Sequence, residues 1–413
     1  MNITISPAPL RGTITPPPSK SQAHRLIILA SLANGESTIT NFDPCEDLLA
    51  TVRAMRTLGA QIEADGNTLH IRGIASRVVP SAQLPQIDCG DSGSTLRFLI
   101  PVALAVAGGG IFTGSKRLME RPLAPYFDIF REQGIYFSLE NDTLTVRGHL
   151  QPGEYRLPGN VSSQFFSGLL LALPLLDEPS RIVPEGQLES SSYVTMTLHA
   201  LSLFGVHLPA TMSLPPQYHI PSGMAYHPQD LTVEADWSQA AFWYAAAGIA
   251  NEVSVTGMNE ESFQGDRAIL DHGTLLSSSG DVSIDISDCP DLAPPLAVWG
   301  ALREGQLRLT NAARLRLKES DRLAAITQTL SALGADIREE SDTLIIGGKA
   351  SLVGGVTVDC LGDHRIAMML AIAATRCAQP ITLLGAQCVG KSYPCFWQDF
   401  TALGGITREH IGE

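Results

Sequence analysis

The run PPPSKSQAHR, Pro16–Arg25, gathers Lys20, Ser21 and Arg25 immediately before the apolar segment Leu26–Ala33. The prolines set an extended approach, Ser19 and Ser21 are good N-cap residues, and LIILASLA reads as a buried helix. A lysine, a serine and an arginine in the first turns of a helix suit an anion, because unpaired backbone N–H groups and the positive end of the helix dipole point there. By itself the run also fits a capped helix with a solvated lysine and arginine. The arrangement recurs, however, and lysine is scarce: Lys20, Lys116, Lys318, Lys349 and Lys391 are all there are.

Similar polar groups stand before other apolar segments: Gly93-Ser94 with Arg97; Ser162-Ser163-Gln164; Asp236 with Ser238; Asp291; and Asp363-His364-Arg365. Further cations and acids lie at Arg121-Pro122, at Lys318-Glu319-Ser320-Asp321-Arg322 and at Lys391. Taken singly, each has an ordinary explanation. Asp236, Ser162 and Ser163 can be plain N-caps, Glu319 and Arg322 an i,i+3 ion pair on a helix, and CGDSGSTLR fits no established phosphate-loop spacing. Capping alone does not account for their joint recurrence.

The elements that must position these residues form a repeat. Apolar helices are expected at Leu26–Ala33, Thr95–Ala107, Gln164–Leu176, Gln239–Ala250, Leu292–Leu302 and Arg365–Thr375, each followed by a short strand. A second, amphipathic helix follows, with Glu46–Leu58, Ser191–Phe204 and Glu319–Leu333 as examples. The segments from Leu58, Gln133 and Leu333 then share a helix-ending glycine, an alternating strand, a polar turn and a second strand. The segment from Leu203 reads as a lengthened copy and that from His272 as a compact one.

The expected fold is therefore α/β, with six strand–helix–strand–helix–strand–strand units in two domains and the apolar helices inside. The last unit lacks its closing strand, which NITISP and GTITP at the N-terminus can supply. Residues 215–230 read as the linker, giving domains of 15–228 and of 1–14 plus 229–413. If the three apolar helices of each half run parallel, their starts converge on one surface. Two such surfaces facing each other would make a cleft of cations for a substrate pair rich in phosphate and carboxylate.

Composition limits the alternatives. With 44% hydrophobic and 17% charged residues the chain is that of a soluble globular protein. A net charge of −14 argues against nucleic acid or an anionic membrane as partner. The seven cysteines form no CxxC pair and read as reduced thiols, not a metal site. No apolar run is long enough to span a membrane and no signal-like segment opens the chain, so a cytoplasmic location is expected.

These motifs, in order PPSKSQAHR, CGDSGSTLR, MERP, VSSQF, EADWSQA, CPDLAPP, RLKESDRL, DHRIAM and GKSYPCF, resemble the 5-enolpyruvylshikimate-3-phosphate synthase family along the whole chain. The resemblance implies two inside-out α/β domains and transfer of the enolpyruvyl group of phosphoenolpyruvate to the 5-hydroxyl of shikimate 3-phosphate, with no metal or organic cofactor. It implies Lys20, Ser21, Arg25, Ser162, Ser163, Gln164, Ser190, Tyr193, Asp291 and Lys318 as the shikimate 3-phosphate set. For phosphoenolpyruvate it implies Lys20, Gly93, Arg121, Gln164, Arg322, His364, Arg365 and Lys391. Asp291 resembles the base or hydroxyl-orienting carboxylate, Glu319 the group protonating the methylene carbon, and Lys20 a second proton-transfer candidate. A monomer is expected.

Some positions depart from the family pattern: Pro17-Pro18 before Ser19, Asp91 where asparagine is common, Phe98 where proline is common, and Arg314 where some relatives have a smaller polar residue. They bear on affinity and on the response to glyphosate. The related transferase acting on UDP-N-acetylglucosamine is the nearest enzymatic alternative, but Ile111–Arg121 lacks the cysteine typical of it. A non-catalytic anion-binding module would be expected to lose Asp291, Glu319 or Lys391, and all are present.

Overall fold

Each of the six apolar segments is a helix, and nearly every side chain in it is out of water. In the computed structural model, which describes residues 1–75, 83–208 and 216–410, they are α1 (Lys20–Leu32), α2 (Gly93–Ala107), α3 (Ser163–Ala172), α4 (Trp237–Gly248), α5 (Ala293–Ala301) and α6 (His364–Ala374). Leu26, Ile27, Ile28 and Leu29 of α1 are wholly buried, each such side chain stabilising the fold by about 1.5–3 kcal/mol. All but α5 begin on a side-chain cap, from Ser19, Ser92, Ser162, Asp236 and Asp363 respectively. α5 is instead entered through a tight turn, Pro290–Leu292, with proline in its own first turn.

α2 carries Pro101 in its interior. Proline has no N–H for the carbonyl four residues back, which is that of Arg97. The Tyr126 hydroxyl replaces it, donating to Arg97 O at 2.7 Å.

The chain divides into two compact units, Pro18–Glu234 and Met1–Pro17 with Ala235–Glu413. These boundaries lie a few residues beyond the expected ones, for a physical reason. Arg11–Ile14 pairs with Glu252–Val255 and Pro17 O accepts from Asp236 N, holding the early crossing in place. Asp230–Thr232 pairs with Glu36–Thr40, so it belongs to the first unit. The expected linker is therefore not one: Tyr218–Ile220 pairs with Ser180–Glu185. Pro215 and the middle of the lengthened repeat copy lie outside the described residues.

In the unit Pro18–Glu234, α1–α3 are accompanied by three sheets. One runs Asp230–Thr232, Glu36–Thr40, Thr68–Arg72, Gln61–Asp65, and another Gln86–Asp88, Gly109–Thr113, Thr143–Arg147, Tyr136–Glu140. The third has Glu154–Pro158, Ser180–Glu185 and Tyr218–Ile220. In each the first pair is parallel and the rest antiparallel. The hairpin turn Asn141-Asp142 has both φ angles positive, at 50° and 58°, as a two-residue turn matched to strand twist requires.

In the other unit the sheet Val282–Asp285, Gln306–Thr310, Leu344–Gly347, Asp336–Glu339 keeps the same pattern. A further sheet runs Thr357–Asp359, Ile381–Leu384, Asn2–Ser6, Ile406–His410. NITIS thus closes the last repeat, whereas GTI, expected with it, pairs with Glu252–Val255 instead. The compact copy from His272 is also corrected. Its first residues finish the helix Ile269–Leu276, and only Val282–Asp285 is a strand, so no hairpin forms there. Cys45, Cys89, Cys289, Cys360, Cys377 and Cys388 are buried free thiols, and Cys395 is exposed. Among the described residues no helix is long and apolar enough to cross a membrane.

Candidate active site

The polar groups expected at helix starts do converge within each unit. In Pro18–Glu234, Arg97 Nη1 at the head of α2 donates to Gln164 Oε1 at the head of α3 (2.7 Å), and Gln164 Nε2 donates to Ser94 Oγ (3.1 Å). The Arg97 guanidinium also lies over the Phe165 ring, 5.2 Å from its centre. Arg121 comes from the loop between the helices Lys116–Met119 and Ala124–Gln133. Its guanidinium rests on Gly93, where an added Cβ would fall 2.8 Å from Arg121 Nη1.

Arg25, one turn into α1, is buried and tightly held. Nε donates to Thr197 Oγ1 (2.7 Å), Nη1 to Ser21 O (2.6 Å), and Nη2 to Tyr193 O (2.9 Å) and Ser167 Oγ (3.2 Å). Burial pushes its guanidinium down to about 10, so a charge stays on it at neutral pH. Phe98 covers its other side at 5.1 Å. Lys20 Nζ is 2.7 Å from Asp47 Oδ2 on the helix Glu46–Thr57.

Ser162 caps α3 by accepting from Gln164 N at 3.3 Å, and Ser163 is buried beside it. Ser190 is buried at the start of the helix Ser191–Leu203 with φ of 52°. A left-handed serine costs on the order of 1–3 kcal/mol, and such strain tends to persist at working sites.

In the other unit the focus is Asp291, in the turn leading to α5. Its Oδ1 takes Arg322 Nη1 at 2.9 Å and Lys318 Nζ at 3.3 Å, and its Oδ2 takes Arg365 Nη2 at 3.0 Å. Arg322 is almost wholly buried and reaches Glu319 Oε2 at 2.7 Å and Asp363 Oδ2 at 3.0 Å. Arg365 Nη2 also donates to Ser238 Oγ at 2.9 Å, at the head of α4. The starts of α4, α5 and α6 are therefore joined by hydrogen bonds around one carboxylate. Glu319 and Arg322 pair, but not on a helix as expected: the helix is Arg322–Ala332, capped by Asp321, and Glu319 precedes it. His364 is buried at the start of α6, and Lys391 ends the turn Ala386–Lys391.

Burial alone would raise the Asp291 carboxyl, yet Arg365, Lys318 and Arg322 outweigh it and hold it well below the usual range. Asp363 is likewise lowered, burial being outweighed chiefly by Arg322. Burial lowers Lys318 despite the attraction of Asp291. Asp291 is thus an ionised, desolvated carboxylate ringed by cations, able to orient or accept a proton from a hydroxyl. The cations can hold phosphate and carboxylate groups.

Several supporting residues escape the sequence reading. Asp47, Ser167 and Thr197 hold Lys20 and Arg25, but each looks like an ordinary helix residue in sequence. Asp363, read as the helix cap it is, also anchors Arg322 across the repeat boundary. Among the described residues no group of His, Cys, Asp and Glu could hold a metal ion.

Comparison with known proteins now bears on this geometry. The family model described as EPSP synthase (3-phosphoshikimate 1-carboxyvinyltransferase) matches residues 5–400. Curated relatives of that enzyme name include one from Clostridium kluyveri, 44% identical over 98% of this chain and 98% of its own, and one from Clostridioides difficile, 43% identical over 99% and 98%. Among solved structures, EPSP synthase from Acinetobacter baumannii superposes with a TM-score of 0.81 at 25% identity, covering 99% of this chain and 100% of that one. The enolpyruvyl transferase NikO from Streptomyces tendae shares the fold, with a TM-score of 0.75 at 16% identity over 98% of both chains. A match along nearly the whole length, with the motif residues gathered at helix starts, places this chain in the EPSP synthase family.

Proposed function

We propose a division of labour among these residues for the reaction the chain performs as a member of this family, enolpyruvyl transfer from phosphoenolpyruvate to shikimate 3-phosphate. Ser21 and Arg25 take the shikimate carboxylate. Ser162, Ser163, Ser190 and Lys318 take the 3-phosphate, with Gln164 and Tyr193 along the ring. Arg121, Arg322, His364, Arg365 and Lys391, with Lys20 and the Gly93 backbone, take phosphoenolpyruvate.

The chemistry runs by addition and elimination. The 5-hydroxyl oxygen bonds to C2 of phosphoenolpyruvate while a proton is delivered to the methylene carbon, giving a tetrahedral intermediate. A proton then leaves the new methyl group as the C2–O bond to phosphate breaks, restoring the double bond. Asp291 orients the hydroxyl and accepts its proton. Glu319, held by Arg322, exchanges the proton at carbon, and Lys20 is the second proton-transfer group. Asp291 and Glu319 share Arg322, so one arginine holds the hydroxyl-side carboxylate and the carbon-side carboxylate in a fixed relation.

The observation carrying this assignment is the ring of Arg322, Lys318 and Arg365 on the two oxygens of Asp291. Phosphate release measured with both substrates tests it: Asp291→Ala and Glu319→Ala should each lose most turnover while keeping the fold. Wild-type rates in either variant would remove its assigned role.

A further inference from the structure

The first turn of α4 does more than begin a helix. Asp236 Oδ1 accepts from the N–H groups of Ser238 (2.8 Å) and Gln239 (3.2 Å), fixing both residues. Ser238 presents its Oγ to Arg365 Nη2 at 2.9 Å and its carbonyl to Arg365 Nη1 at 3.4 Å. The neighbouring Gln239 reaches another way: its Nε2 donates to Ser392 Oγ at 3.1 Å, in a buried contact. Ser392 directly follows Lys391. The far end of the turn that carries Lys391 is fixed too, through Gly385 N on Asn2 Oδ1 (3.3 Å) and Trp397 Nε1 on Ala386 O (3.1 Å).

Gln239 is an expensive choice for a buried place in a first helical turn. It is 1% exposed, and its Oε1 is buried with no hydrogen-bond partner among the described residues. Its helix neighbours Ala240, Ala241, Phe242 and Trp243 are apolar and buried. An apolar side chain of the same length would avoid the unsatisfied acceptor and lose only the bond to Ser392, so the amide stands there for that contact.

We propose that Ser238 and Gln239 are positioning residues that together set the spacing between the Arg365 guanidinium and the Lys391 ammonium. Adjacent residues on one capped turn act by separate routes: Ser238 holds the Arg365 guanidinium directly, and Gln239 holds Ser392, the residue that follows Lys391. The pair is thereby spaced in advance for a small donor carrying both a phosphate and a carboxylate. Preorganisation of this kind favours the bound geometry without adding a contact to the ligand. The inference rests on the assignment of Arg365 and Lys391 to phosphoenolpyruvate.

The test is steady-state kinetics of Gln239→Met, Ser392→Ala and the double variant, with thermal melting of each and Lys391→Ala as reference. Gln239→Met should raise KM for phosphoenolpyruvate by about tenfold, with KM for shikimate 3-phosphate within about twofold of wild type. Ser392→Ala should match it, and the double variant should be no worse than either single one, because both cut the same link. An unchanged KM for phosphoenolpyruvate, equal rises for both substrates, or additive effects in the double variant would overturn the proposal. Should Gln239→Met not fold, Ser392→Ala, which removes one hydroxyl, breaks the same link and decides the question alone. If Lys391→Ala weakens phosphoenolpyruvate and these variants do not, only the spacing role fails. If Lys391→Ala has no effect, the assignment of Lys391 itself fails.

Discussion

Arg365 Nη2 sits 3.0 Å from Asp291 Oδ2, a carboxylate supplied by the preceding repeat. The same carboxylate takes Arg322 and Lys318 on its other oxygen, so three cations from separate segments are held around one internal anion.

Asp291→Asn keeps the shape of this centre and removes its charge. Turnover should fall by about 10²–10⁴-fold, the usual contribution of a positioned acid–base group. Phosphate release with both substrates measures it, and an unchanged near-ultraviolet spectrum would show that the packing survives.

The pair Arg322–Asp363 is shielded from water, with side-chain exposures of 1% and 0%. Asp363→Asn should cost about 1.5–3 kcal/mol at neutral pH, because the buried Arg322 loses one charged hydrogen-bond partner while keeping Asp291 and Glu319. The Asp363 carboxyl is lowered in the folded chain, so the unfolded chain binds that proton more readily. Its stabilisation is thus present above about pH 4 and drains away as pH falls towards the folded value. The gap in urea midpoint between wild type and variant should shrink below about pH 4. A gap independent of pH would contradict this.

Lys318→Met should weaken shikimate 3-phosphate binding by about 10–100-fold, the loss expected for a charged hydrogen bond. Isothermal calorimetry reads this directly, and an unaltered dissociation constant would reassign the residue.

Gly93→Ala should push the Arg121 guanidinium aside, since the new Cβ would lie 2.8 Å from Nη1 and also 3.2 Å from Arg97 Nη1. The obstructing atoms end flexible side chains, so the melting temperature should hold. KM for phosphoenolpyruvate should rise by about tenfold as the arginine loses its placement.

The parts of the fold legible in sequence were those written by strong local signals. The apolar helices and their serine and aspartate caps show plainly, because burial on all sides leaves an unbroken apolar run. The hairpins from Leu58, Gln133 and Leu333 show through alternation and turn residues. ESDRL has helical composition and so reads as helix from Glu319, whereas Asp321 takes the cap by accepting from Ala324 N at 3.1 Å. The partner of GTI and the strand status of the His272 copy depend on pairing across distant sequence, which periodicity does not encode. Among the candidate residues, the charged and hydroxyl groups at helix starts show in the spacing. Asp47 and Thr197 were not, since their role is to hold Lys20 and Arg25 from other helices.

The strand Asn2–Ser6 lies between Ile381–Leu384 and Ile406–His410. During synthesis this makes Asn2–Ser6 wait for neighbours made several hundred residues later, while Pro18–Glu234 has all its own partners much sooner. The bracket around Asn2 is also the support of the Lys391 turn. The Lys391 turn is therefore expected to settle only after the other unit is already compact.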